Sequence, residues 1–300
     1  MVSEVEGKHT INDITLFTKT WKHQPPSAPV AKLIFIHGFD DHVDRYYELF
    51  PTLASQGIEV CGFDQRGWGH SVQKPSDRGL TGTTETVIGD IVSFISTHLP
   101  SSIPIFVMGH SMGGAEALVL ACDRKHIDIV GQVRGWILES PLISLAEGSE
   151  PSYITKFLGR LAARILPWKQ IPTGIPREDL TRDPEVVQSL RNDPFLYALG
   201  TLEGLAGMLE RADDLSNGRI KLNKEVQSIW IGHGTCDKAT SLEASKKWFD
   251  EQCKDVKDKE LKIYEGGYHQ LHADLLKDRL SFDNDVATWI LDRVKRESKL

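Results

Sequence analysis

Short apolar runs alternate with helical patterns along most of this chain. The stretch "DITLFTKTWKH" alternates apolar and polar positions, as a strand with one wet face does. Six others, "AKLIFIHG", "IEVCGFD", "IPIFVMG", "VRGWILES", "VQSIWIGHG" and "KELKIYEGG", are nearly continuous apolar runs, the mark of strands buried on both faces. Between them, "DRYYELFPTLASQG", "TTETVIGDIVSFISTHL", "SMGGAEALVLACDR", "SLEASKKWFDEQ" and "DNDVATWILDRVKR" place apolar residues at helical spacing. This alternation predicts an α/β fold, a mostly parallel central sheet with helices on both faces.

From about Ile143 to Ile220 the rhythm breaks. Pro151, Pro167, Pro172, Pro176, Pro184 and Pro194 punctuate two helical patterns, which predicts an inserted helical cap at 143–220 on a core made of 1–142 and 221–300. Within the cap, Ile154, Phe157, Leu158, Leu161 and Ile165 share one helical side, and Lys156, Arg160 and Arg164 share another. Such a helix either roofs the core or makes peripheral contact with a membrane or lipid-droplet surface.

Composition narrows the field. The net charge of -7, with no long basic run, argues against nucleic acid as a partner. The four cysteines lie far apart and frame neither a zinc site nor a redox motif. The polar, acidic opening is unlike a secretory signal and no apolar run reaches membrane-spanning length, so the expectation is an intracellular protein. The closing Ser298-Lys299-Leu300 matches the peroxisomal import address, which would make the import receptor a partner and the peroxisome the destination. A lipid droplet, the endoplasmic reticulum surface and the cytosol are the alternatives.

Two serines follow a Gly-His pair, Ser71 and Ser111. A nucleophilic serine needs exposure on a sharp strand-to-helix turn, and close backbone approach there calls for glycine two positions before and two after. Ser111 has Gly109 and Gly113 in those places, between a strand-like and a helix-like stretch; Ser71 has Gln73 where the second glycine belongs and reads as part of a surface loop. The turn at His37-Gly38 lets the amides of Phe39 and Met112 face a common point, as an oxyanion hole requires. Acid and base should stand at later strand ends, where Asp237 and His269 fall. Glu139 is a rival acid, and His233 and His272 are rival bases.

With these residues in hand, the chain resembles the α/β-hydrolase superfamily, within it the monoacylglycerol lipase family of fungal type and the related serine aminopeptidase S33-like group. "FIHGF", "GHSMGG", "GTCD" and "IYEGGYHQLH" stand in family order, and the likeness weakens only in the cap. The resemblance implies Ser111 as nucleophile, Asp237 as acid, His269 as base and no cofactor or metal. It implies a monoacylglycerol or similar lipid ester as substrate, its glycerol head held by Asp41, Arg45 and His272. Asp41 stands where a glutamate is frequent, and Leu190 where a tyrosine is expected. Rival readings are a carboxylesterase, an aminopeptidase using cap acids such as Glu147, Glu150, Glu178 and Asp179, and a non-catalytic lipid-binding module.

Overall fold

The computed structural model describes residues 1–24, 28–148 and 153–297. Strands β1 (Val2–Ile11) and β2 (Ile14–His23) form an antiparallel hairpin, reversed at Asn12, whose φ of 52° suits asparagine. The sequence pattern gives no hint of β1, because an edge strand with polar residues on both faces has no apolar period. Next come β3 (Ala31–Ile36), α1 (Leu49–Ser55), β4 (Ile58–Phe63), α2 (Thr84–Ser96), β5 (Ile105–His110), α3 (Met112–Cys122), α4 (Ile127–Gln132) and β6 (Val133–Glu139). The segment expected to form the cap holds α5 (Tyr153–Ile165), β7 (Gln170–Pro172), α6 (Pro184–Asn192), β8 (Leu199–Thr201) and α7 (Leu202–Ser216). After it come β9 (Ser228–Gly234), α8 (Leu242–Gln252), β10 (Asp258–Tyr264) and α9 (Leu276–Glu297).

Eight strands make one sheet in the order β1-β2-β4-β3-β5-β6-β9-β10, parallel from β4 onward. Its middle strands are covered twice. Ile34, Ile36, Ile105 and Val107 pack on one side with residues of α2, α3 and α8, while Leu33, Phe35, Phe106 and Met108 pack on the other with α1 and α9. Burial on both faces explains why those strands read as unbroken apolar runs. Register then brings the strand ends level: Ile36 pairs with Gly109, His110 with Glu139, and Glu139 with Gly232.

Among the described residues, the segment between β6 and β9 holds three α-helices, a 3-10 turn and a two-stranded ribbon of β7 with β8, where the sequence pattern predicts two helices. Strands of three residues are too short to show a period. Asp183 caps α6 by accepting from the amides of Glu185 and Val186, and Thr201 caps α7 through the amide of Gly204. Helix α7 is part of the main packing, since Ala212 and Leu215 enter the same core cluster as α3. Ser298, Lys299 and Leu300 lie outside the described residues, as do Glu150, Pro151 and the side chains of Ile154, Lys156 and Phe157.

Candidate active site

Ser111 stands between β5 and α3 with φ 55° and ψ -116°, a left-handed conformation that costs a non-glycine residue on the order of 1–3 kcal/mol. The surroundings hold it there. Its amide donates to the Glu139 carbonyl at 2.9 Å, and its carbonyl accepts from Leu142 at 2.9 Å and from Ala115 at 3.0 Å. A Cβ on Gly109 would lie 2.3 Å from the Gly113 carbonyl oxygen, and one on Gly113 would lie 2.3 Å from that of Ile36. Both glycines are therefore demands of the elbow. Ser71 serves the loop instead. Its Oγ donates to the Asp64 carbonyl at 2.6 Å and accepts from the Phe17 amide at 2.9 Å, locking the chain after β4.

His269 follows β10 and Asp237 follows β9. His269 Nδ1 lies 2.8 Å from Asp237 Oδ2, both groups buried. The carboxylate is held from all sides: Oδ1 accepts from the amides of Ala239 and Thr240 at 2.7 and 2.9 Å, and Oδ2 also meets Thr240 Oγ1 at 2.8 Å and His233 Nε2 at 3.1 Å. Burial pushes the Asp237 carboxyl up, but the charge of His269 and hydrogen bonds from His233 and His269 outweigh it and hold the group well below its ordinary value. Burial likewise lowers His269, yet Asp237 raises the ring above its ordinary value. Such a pair keeps the imidazole oriented and stabilises its cation when it takes a proton.

Phe39 and Met112 both border the cavity at Ser111, and neither amide finds an acceptor among the described residues. The turn ahead of Phe39 is fixed from below. The Gln65 amide donates to His37 Nε2 at 2.8 Å, so the other ring nitrogen carries the proton and donates to the Gly38 carbonyl at 2.8 Å.

Two cavities meet at Ser111. The smaller, about 40 Å³ and the more polar of the two, is bordered by Asp41, Arg45, His110, Ser111, His269 and Gln270, with Leu180 beside them. That is room for roughly three waters on the same measure. The other, about 400 Å³, is mostly apolar and is walled by Leu142, Leu145, Ile175, Leu205, Met208 and Leu209. Phe39, Ser111, Gly174 and Ile175 border both.

The structure separates the three residues expected at the head group. Asp41 and Arg45 border the polar cavity; Asp41 accepts from Tyr46 Oη at 2.8 Å, and its Oδ1 lies 3.4 Å from Arg45 Nη1. His272 is fully buried and does not reach the cavity surface, which corrects the expectation that it lines the site. Its Nδ1 sits 2.7 Å from Glu139 Oε1 and its ring packs against Tyr46, so Glu139 is a buried partner of His272 and neither a surface cap nor the partner of His269. His233 is buried between Ser245 and Asp237. Leu190 packs in a satellite cluster with Leu180, Val186 and Ala273.

Sequence reasoning missed Asp40. Its Oδ2 accepts from Arg177 at 2.8 Å, and its Oδ1 accepts from the amides of Tyr197 and Ala198 at 2.5 and 3.0 Å, tying the loop of Phe39 to the cap. Only the doubled aspartate after His37-Gly38 hinted at it, and all three of its partners lie far along the chain.

Ser111 on its strained turn and His269, paired with Asp237, thus border one small cavity at the carboxyl edge of a parallel sheet. The chain is a serine hydrolase with the α/β-hydrolase fold. Residues 27–275 match the family described as serine aminopeptidase, S33, and the chain belongs to that family, among its monoglyceride lipases. The monoglyceride lipase of Saccharomyces cerevisiae is 30% identical over 281 residues, covering 90% of this chain and 87% of that one. The human monoglyceride lipase is 27% identical over 281 residues, 93% of this chain and 87% of its own. A crystal structure of a soluble variant of the S. cerevisiae enzyme with a substrate analogue superposes with a TM-score of 0.84 at 25% identity over 97% of each chain. Monoacylglycerol lipase from Paleococcus ferrophilus shares the fold, with a TM-score of 0.77 at 23% identity over 93% of this chain and 99% of its own.

Proposed function

We propose that this chain hydrolyses monoacylglycerols to a free fatty acid and glycerol. The observation that carries the reading is the position of Ser111 at the junction of a small polar cavity and a larger apolar one. A monoacylglycerol has that shape: a compact polar head joined through an ester to a long apolar tail. Asp41 and Arg45 receive the head, and Leu142, Leu145, Met208 and Leu209 wall the tail. Ser111 Oγ attacks the carbonyl carbon as His269 Nε2 takes its proton, and the amides of Phe39 and Met112 stabilise the oxyanion. His269 returns the proton to the departing glycerol oxygen. Water then attacks the acyl-enzyme with His269 again as base, releasing the fatty acid and restoring Ser111.

The aminopeptidase reading fares less well on charge. An amino-terminus pocket needs a free carboxylate, but Asp179 is paired with Lys238 and Glu178 with Arg191. A panel of long-chain monoacylglycerol, short-chain ester and amino-acid amide, with Ser111→Ala as control, decides the substrate. The expected order is monoacylglycerol first and amide negligible; preferred turnover of the amide would overturn the proposal. Fluorophosphonate labelling lost in Ser111→Ala would dispose of a non-catalytic module.

Contact with a lipid surface belongs to the same proposal. Leu158, Leu161, Ile165 and Trp168 are 56%, 47%, 67% and 63% exposed, a cluster of apolar groups on the cap's outer side. Leu158→Glu with Leu161→Glu should weaken liposome binding and turnover of micellar substrate while sparing a soluble ester. Import into peroxisomes through Ser298-Lys299-Leu300 is tested by removing the tripeptide from an amino-terminally tagged chain, which should disperse a punctate signal.

A further inference from the structure

Beside the head-group cavity, the loops after β3 and β4 bring His42, Asp44 and His70 together. One ligand atom of each lies within 4.8 Å of the others. Their remaining polar atoms are already committed. His42 Nε2 lies 2.9 Å from Asp193 Oδ2, His70 Nδ1 lies 2.9 Å from Asp64 Oδ2, and Lys19 Nζ donates to Asp44 Oδ1 at 2.7 Å. A neutral imidazole has one N–H and one lone pair, so a proton given to each carboxylate leaves lone pairs on His42 Nδ1 and His70 Nε2. His42 is 4% exposed, and its buried Nδ1 has no hydrogen-bond partner among the described residues. His70 Nε2 stands 3.8 Å from Asp44 Oδ2, and its ring is packed against Phe17 and Phe195.

We propose that His42 Nδ1, His70 Nε2 and Asp44 Oδ2 bind a divalent transition-metal ion of the zinc class. Three features support this. Both imidazoles rest their far nitrogen on a carboxylate, the arrangement that fixes ring orientation and strengthens the donor around bound metals. Two nitrogens and one carboxylate suit zinc, whereas magnesium and calcium call for oxygen throughout. The side chains of Asp44 and His70 are each 29% exposed, which leaves an entry path and a position for water. Closing to bond lengths of about 2.0–2.1 Å requires the three ligand atoms, now within 4.8 Å of one another, to draw together. The site is separate from the Ser111 cavity but mechanically close to it. His42 follows Asp41 directly and binds Asp193 at the end of α6, so the ion would brace both the head-group loop and the cap.

The test is a titration of the untagged full chain with Zn2+ against a chromogenic chelator, repeated with Co2+ to read its visible bands. One ion per chain is expected. Asp44→Asn and His70→Gln should each weaken binding on the order of ten-fold or more. They should leave metal-free thermal stability close to wild type, whereas His126→Gln, at a distant surface histidine, should change nothing. Wild type should also melt at a higher temperature with zinc than without, a shift lost in the double variant. Equal affinity in wild type and the Asp44→Asn/His70→Gln chain would overturn the site, as would failure of the wild type to compete with the chelator.

Discussion

Arg211 Nη2 lies 3.0 Å from Glu116 Oε1, a fully buried ion pair joining cap helix α7 to the helix behind the nucleophile. Burial raises the Glu116 carboxyl to about 7 despite Arg211, and burial lowers Arg211. Desolvation therefore exceeds attraction on both sides. Because the folded value lies above the ordinary 4.5, the folded state holds a proton that the unfolded state releases. The associated stability is complete below about 4.5 and is lost as pH rises to about 7. Urea unfolding at both ends of that window should show Glu116→Gln with a flatter pH dependence than wild type. Arg211→Met should cost about 3–5 kcal/mol at alkaline pH and less at acidic pH, where Glu116 is neutral.

Asp237→Asn should fold normally and lose roughly 10⁴-fold in kcat, since the amide cannot hold the required tautomer or balance the imidazolium. The pH profile supplies a second reading. His269 must be neutral to act as base, and its raised value moves the acidic limb of kcat/KM upward from where an ordinary histidine would put it. Without the Asp237 charge, burial prevails and the limb should move to lower pH. An unmoved limb in the variant would mean the couple does not set the base.

His233 shares Asp237 Oδ2 with His269, and Ser245 Oγ lies 3.0 Å from its other nitrogen. His233→Leu should remove a donor from the carboxylate and lower kcat on the order of ten-fold with little change in KM. His233→Gln, which can still present an N–H, should recover most of the loss. Equal activity in all three proteins would show the contact to be packing only.

Gly113→Ala should fail at the level of folding. The added methyl would lie 2.3 Å from the Ile36 carbonyl oxygen and 2.4 Å from that of His37, both backbone atoms of the sheet and its following turn. Overpacking of this kind typically costs about 1–3 kcal/mol and sometimes more. Thermal denaturation should show a lowered midpoint or no soluble protein.

What was legible in the sequence was local. Strands buried on two faces announce themselves as apolar runs, and Gly109-His110-Ser111-Met112-Gly113 states its elbow in five consecutive residues. Asp237 and His269, which the fold pairs at 2.8 Å, were expected together because each follows a recognisable strand. What stayed hidden depends on partners distant in the chain. Glu139 and His272 are 133 positions apart, and Asp40 is 158 from Ala198, so no spacing rule joins them. β1 escaped because an edge strand buries too little to need an apolar face, and β7 and β8 because three residues hold no pattern.

The two hollows flanking Ser111 also order the traffic of the reaction. Once the alcohol departs from the polar side, the acyl chain still plugs the greasy side, so the second nucleophile enters through the space just vacated. That vestibule takes the glycerol head and, once it has left, water, but no larger group. The enzyme should therefore complete hydrolysis instead of passing its acyl group to a bulkier alcohol, a preference built from the narrowness of one doorway.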